Sequence, residues 1–197
     1  MKIGIFGGAF NPFHNGHLHL MQSYLETLAL DKILLIPTAV PPHKTGAFLA
    51  SGEDRLQMLS LVAKQHPKLL VSDIELKRTG KSYSYDTVCE VQRLYPEAAL
   101  YLIVGSDQFF SFHEWYRADE LLRMVTVCTA ARGEGEYRSL VRYREEHGDM
   151  QRCIVSNFDV VVLSSTEIRQ RIKAGDSITG LVPPAIEAYI KEHGLYV

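Results

Sequence analysis

Cysteine, surplus charge and long apolar runs are all scarce in this 197-residue sequence, and each scarcity argues against a class of protein. The three cysteines, Cys89, Cys128 and Cys153, are an odd number, far apart and without a C-x-x-C pair. That pattern speaks against a disulfide-stapled scaffold and for a reduced, cytoplasmic setting. Lysine and arginine total 21 against 23 aspartates and glutamates, a net charge of −2. Neither a nucleic-acid coat nor a polybasic membrane tether fits that balance, although an anionic small ligand needs only a locally positive pocket. No apolar run approaches the ~20 residues that cross a bilayer. Gly4, Gly7 and Gly8 break the opening run before it could act as a secretory segment. What is present is an ordinary globular balance, 46% hydrophobic and 22% charged. A chain of this length can bury a core unaided, and one domain over residues 1–197 is expected.

Short β-rich runs alternate with segments of helical period. Strands are expected at 2–6, 32–37, 69–74, 100–105, 125–129 and 158–163, several of them continuously apolar, such as Ile33-Leu34-Leu35-Ile36. Amphipathic helices are expected at 16–30, 51–66, 84–95 and 119–124. The alternation predicts an α/β fold with a mostly parallel sheet and helices on both faces. Ligands in such sheets sit beyond the carboxyl ends of strands, which directs attention to the loops after Phe6, Pro37, Gly105 and Leu163. Residues 133–151 form a polar, glycine-containing excursion in which 137–147 could be a solvated helix. A C-terminal helical segment begins near 164: one helix follows Ser164 and stops at Gly175, and another starts at Pro183-Pro184 and stops at Gly194.

The segment from Gly7 to His17 joins the first strand to the first helix and matches neither a Walker A loop nor the dinucleotide fingerprint. Its parts still suit polyphosphate. Gly7 and Gly8 allow close backbone approach, Ala9 and Phe10 continue the loop, and the following helix aims free N–H groups at the same place. His14 and His17, three apart, share a face and can each donate a hydrogen bond or carry positive charge. A zinc site from His14, His17 and His19 lacks an acidic or cysteine partner nearby, so no metal ligand set is assigned to protein side chains.

The run G-G-x-F-N-P-x-H-x-G-H, here Gly7 to His17, resembles the signature of the H-x-G-H nucleotidyltransferase superfamily. Within it the sequence resembles the bacterial nicotinate-nucleotide adenylyltransferases, with matching segments from Gly7 to Tyr196. Asn11 stands where many relatives carry Asp. The resemblance implies a doubly wound, Rossmann-like nucleotidyltransferase domain. It also implies adenylyl transfer from ATP to nicotinate mononucleotide, with Mg²⁺ accompanying ATP and deamido-NAD as product. No nucleic acid or membrane partner is expected, and a homo-oligomer is compatible. Another phosphate acceptor (nicotinamide mononucleotide or phosphopantetheine) and a non-catalytic nucleotide sensor are the alternatives. Phosphopantetheine adenylyltransferases share the first loop but lack the P-P-H-K and Trp-Tyr features.

The remaining motifs each carry a plain structural reading beside the functional one. Thr38 opens a loop in which Pro41-Pro42 deliver His43 and Lys44; this is a solvated turn or, by the resemblance, the border of the mononucleotide. Ser82, Tyr83 and Thr87 enter the third helix as caps, or border the pyridine carboxylate as in the relatives. Gly105 and Asp107 end the fourth strand, where Asp107 is an N-cap, a ribose acceptor or both. Trp115-Tyr116 is a core anchor or, as in relatives, a stacking surface for the pyridine. Ser164 and Glu167 have capping-box spacing. The resemblance adds that Ser165, Thr166 and Arg169 meet the β/γ end of ATP. His14, His17 and Arg169 are then the expected catalytic residues. Gly7, Gly8, Ala9, Phe10, Gly105, Asp107, Ser165 and Thr166 are the expected ATP contacts.

Overall fold

A computed structural model describes residues 1–39, 49–158 and 161–197. Six strands form one wholly parallel sheet in the order β3-β2-β1-β4-β5-β6. They are β1 (Lys2–Gly8), β2 (Lys32–Pro37), β3 (Leu69–Val71), β4 (Ala99–Val104), β5 (Thr126–Ala130) and β6 (Ile154–Ser156). The order reverses between β1 and β4, so a crevice opens beyond their carboxyl ends. This doubly wound arrangement agrees with the expected fold class.

Among the described residues there are eight α-helices, six between strands and the last two after β6: α1 (Asn15–Thr27), α2 (Gly52–Ala63), α3 (Ser84–Leu94), α4 (Ser106–Phe110), α5 (Ala118–Met124), α6 (Glu134–Glu146), α7 (Ser165–Ala174) and α8 (Pro184–Glu192). Alternate residues of β2 face opposite sides of the sheet, as the pleat requires. Ile33 and Leu35 join one core with Met21 and Tyr24 of α1, Met58 and Leu59 of α2, and Ile186 of α8. Leu34 and Ile36 join the other with Val88 of α3, Phe109 of α4, Leu121 of α5 and Leu140 of α6. The polar excursion thus contributes α6, whose Leu140 is buried in the second core. No helix of the described residues is long and apolar enough to cross a membrane.

The sixth strand departs from expectation. It lies at Ile154–Ser156, paired to Cys128, Thr129 and Ala130 of β5, while the described residues of the expected span, 158 and 161–163, are not strand. Val161 and Val162, within the apolar run that suggested a strand, are 44% and 63% exposed and line the crevice. Apolar residues therefore line a crevice here, which period and composition cannot tell from a buried strand. Two cap details also differ. Ser164 caps α7 through the Thr166 N–H at 3.2 Å, while Glu167 pairs with Arg171, so no capping box forms. The residue at the N-cap of α4 is Gly105, and Asp107 lies inside the first turn.

Candidate active site

The crevice at the β1/β4 switch point encloses about 470 Å³ between the β1–α1 loop, the start of α4, the end of β5 and the start of α7. Gly7 lines it, and a Cβ there would meet nothing closer than the Ile36 carbonyl oxygen at 3.9 Å, so the backbone is open to close approach. His14 and His17 sit at its centre, at the N-terminus of α1, and each caps the other's backbone. The His17 N–H donates to His14 Nδ1 at 3.3 Å, and the His14 N–H donates to His17 Nδ1 at 3.2 Å. An imidazole nitrogen that accepts carries no proton, so both rings are held with the proton on Nε2. The rings stack with centroids 3.6 Å apart. Burial, with the positive charge of Arg132 second, pushes the His14 pKa down from 6.5 to about 4. His14 is thus neutral at neutral pH, which narrows the sequence expectation of a donor or a positive charge to a donor. Gly16 completes the motif for a steric reason: a Cβ there would come within 2.7 Å of the Val161 carbonyl and 3.1 Å of the His14 ring.

Charge enters from α7 and β5. Arg169 lines the crevice; its Nη1 donates to the Asn11 carbonyl at 2.7 Å and its Nη2 to Thr166 Oγ1 at 3.2 Å. Ser165 Oγ donates to the Pro12 carbonyl at 2.9 Å, tying α7 to the first loop. The two motifs that lie 150 residues apart in the chain are therefore in direct contact. Asp107 is exposed at the crevice edge, 3.8 Å from Arg132. Sequence reasoning missed Arg132. The same carboxyl-end logic applied to β5 would have found it, but the switch to charge and glycine just beyond drew the eye away.

The residues expected at the mononucleotide form a separate group among the described residues, outside the crevice walls. His43 and Lys44 lie outside the described residues. Thr87 is buried; its hydroxyl donates to Glu75 Oε1 at 2.7 Å and accepts from Arg78 Nη2 at 3.0 Å. Glu75 is buried too, and burial pushes its carboxyl pKa up against the pull of Thr87, Arg78 and the Ser82 and Thr38 hydroxyls. Tyr83 packs on Tyr116 with ring centroids 4.6 Å apart. Trp115 stacks on Phe112 at 5.0 Å and keeps part of its surface exposed. The N-cap residue of α3, Tyr83, supplies no side-chain cap to its first turn. Among the described residues no cluster of three histidines, cysteines or carboxylates could hold a metal.

A parallel sheet, a crevice at its switch point, and two helix N-termini facing each other with histidine and arginine donors define a nucleotidyltransferase-type protein. The chain belongs to the cytidylyltransferase-like family, which it matches over residues 5–171. A relative from Synechococcus sp. (strain JA-3-3Ab) named "Probable nicotinate-nucleotide adenylyltransferase" is 38% identical over 197 residues, all of this chain and 95% of the relative. One from Neisseria meningitidis serogroup B is 36% identical over 202 residues, covering 99% and 98% of the two chains. In fold, the chain superposes on a Plasmodium falciparum nicotinic acid mononucleotide adenylyltransferase complexed with NaAD. The TM-score is 0.80 at 18% identity, over 99% of this chain and 97% of that one.

Proposed function

We infer that this protein transfers the adenylyl group of ATP to nicotinate mononucleotide, giving deamido-NAD and pyrophosphate. The observation that carries adenylyl transfer is the mutually capped His14–His17 pair, which lines the same crevice as Arg169. The acceptor is carried by the full-length similarity to nicotinate-nucleotide adenylyltransferases. A phosphate oxygen of the mononucleotide attacks the α-phosphorus of ATP, and the bond to the bridging β-oxygen breaks as pyrophosphate leaves. The nucleophile is already anionic at neutral pH, so alignment and charge stabilisation suffice without a strong base.

His14 and His17 donate to the charge that develops at the α-phosphate, and Arg169 with Ser165 and Thr166 meets the β/γ end. Gly7, Gly8, Ala9 and Phe10 cradle the phosphates, and Gly105 with Asp107 takes the ribose. His43, Lys44 and Thr38 border the incoming phosphate. Trp115, Tyr116, Tyr83, Ser82 and Thr87 border the pyridine, whose carboxylate meets the uncapped first turn of α3. Mg²⁺ supplies charge neutralisation on ATP. The crevice offers it one carboxylate, Asp107, beside Arg132, which fits an ion held mainly by phosphate and water oxygens. The three free cysteines fit a cytoplasmic protein, and the whole chain works as one domain.

Pyrophosphate release with ATP and a panel of acceptors tests the reading. Nicotinate mononucleotide is expected to give the highest kcat/KM, above nicotinamide mononucleotide and phosphopantetheine. An equal or faster amide form overturns the acceptor, and no release with any acceptor overturns adenylyl transfer.

A further inference from the structure

Arg55 is a fully buried side chain, 1% exposed, and it lies on α2, apart from every motif that marked the crevice. Its guanidinium bonds three backbone carbonyls from three segments. Nη1 donates to Thr38 at 2.7 Å and Ala9 at 3.0 Å, and Nε donates to Ala50 at 3.0 Å. Ala9 belongs to the phosphate loop after β1, Thr38 follows β2, and Ala50 precedes α2. One planar cation thus fixes the distance between the exits of two adjacent strands.

The loop it holds is under strain. Phe10 has φ 46°, in the left-handed region that a bulky aromatic rarely adopts. The carbonyl before it, Ala9, is held by Arg55; the carbonyl after it, Asn11, is held by Arg169. Asn11 Oδ1 also accepts from the Ala50 N–H at 3.0 Å, closing the circuit back to Arg55. With the Ala9 C=O turned to the guanidinium, the Phe10 N–H on the opposite edge of the trans peptide is turned away from it. A buried guanidinium is costly unless hydrogen-bonded, and a Met or Leu would fill the same volume without that cost. The charge is therefore explained by where it puts the three carbonyls.

We propose that Arg55 is a positioning residue for phosphoryl-group alignment, holding the phosphate loop and the Thr38 end of the acceptor side at a fixed separation. This rests on the adenylyl-transfer reading. Loss of alignment acts on turnover more than on the binding of either substrate alone.

The test uses Arg55→Lys and Arg55→Gln in the full chain, with circular dichroism to establish folding and steady-state kinetics with ATP and nicotinate mononucleotide. Both variants are expected to fold, with kcat ~10- to 100-fold lower, as misplacement of about 1 Å would cause, and both KM values within about threefold of wild type. Lysine, which keeps the charge but not the fork, is expected to retain more activity than glutamine. A folded variant with kcat within about twofold of wild type overturns the assignment. So does a rise in KM at unchanged kcat, or failure of both variants to fold, which would make Arg55 a residue of the fold alone. Wild-type pyrophosphate release, run beside them, separates the two ideas. An active wild type with unaffected variants removes only the role of Arg55, whereas a wild type inactive with every acceptor removes the function itself.

Discussion

At the scale of single residues, the crevice is built from groups that do two things at once. His17 caps the His14 N–H and also lines the crevice. His17→Ala should therefore lower kcat by roughly 2.7–4 kcal/mol of transition-state stabilisation with the KM for ATP little changed. The lost cap should cost about 1 kcal/mol of stability besides. Kinetics and thermal denaturation read the two separately, and a normal kcat would remove His17 from the chemistry. Trp115 is divided in the same way, stacked on Phe112 yet partly exposed. If the exposed part meets the pyridine, Trp115→Ala should raise the KM for the mononucleotide about tenfold, since stacking is worth ~1–3 kcal/mol, and leave that for ATP alone. A lower Tm with both KM values unmoved would leave it only a packing partner of Phe112.

At the scale of elements, the start of α1 is the most tightly specified piece of the molecule. Gly16 lies in its first turn, where helix propensity favours alanine by close to ~1 kcal/mol. The Val161 carbonyl would stand 2.7 Å from the new Cβ, so Gly16→Ala should instead destabilise, by roughly 1–3 kcal/mol, and lower activity. Thermal denaturation checks the sign, and a stabilised variant would show that the contact yields freely. The cap is also sensitive to acid. His14 is neutral in the fold with its pKa down at about 4, against 6.5 when unfolded. Between those values the unfolded chain binds the proton and the folded one does not, so stability is full above pH 6.5 and falls as pH drops towards 4. The total is roughly 3 kcal/mol from this residue, and protonation would break the cap it shares with His17. Denaturant titrations from pH 8 to 4 should show this loss, and a His14→Asn variant should show less of it.

At the scale of the whole molecule, the sheet shields most of its sulfur. Cys128 on β5 and Cys153 beside β6 are buried, and burial pushes their thiols up to about 12 and about 11. Only Cys89 has appreciable exposure among the three. Brief alkylation with iodoacetamide near pH 8, read by mass spectrometry, should therefore modify at most one thiol in the folded protein and all three after denaturation. Rapid labelling of Cys128 under native conditions would mean that β5 opens far more readily than its place inside the sheet implies.

The alternation of apolar runs and helical periods was enough to place five of six strands and a mostly parallel sheet with helices on both faces, because burial on both faces imposes a continuous apolar pattern on a parallel strand. The histidine loop stood out by its own residues, glycines and paired histidines at a strand-to-helix crossover, whereas the site role expected of Ser165, Thr166 and Arg169 came from the resemblance; both elements line the crevice. Three things were settled only by the assembled chain. Ile154–Ser156 took the sixth strand because its pairing partner on β5 is remote in sequence, leaving the apolar residues around 161–163 to face the crevice. The protonation state of His14 depends on burial and on Arg132, 118 positions away. Arg55, on a helix expected from the sequence only as amphipathic, proved to be buried against three carbonyls contributed by segments that only folding brings together. Local sequence encodes local hydrogen bonding and periodicity; which charge is buried, and against what, is decided by contacts between parts of the chain that carry no trace of one another.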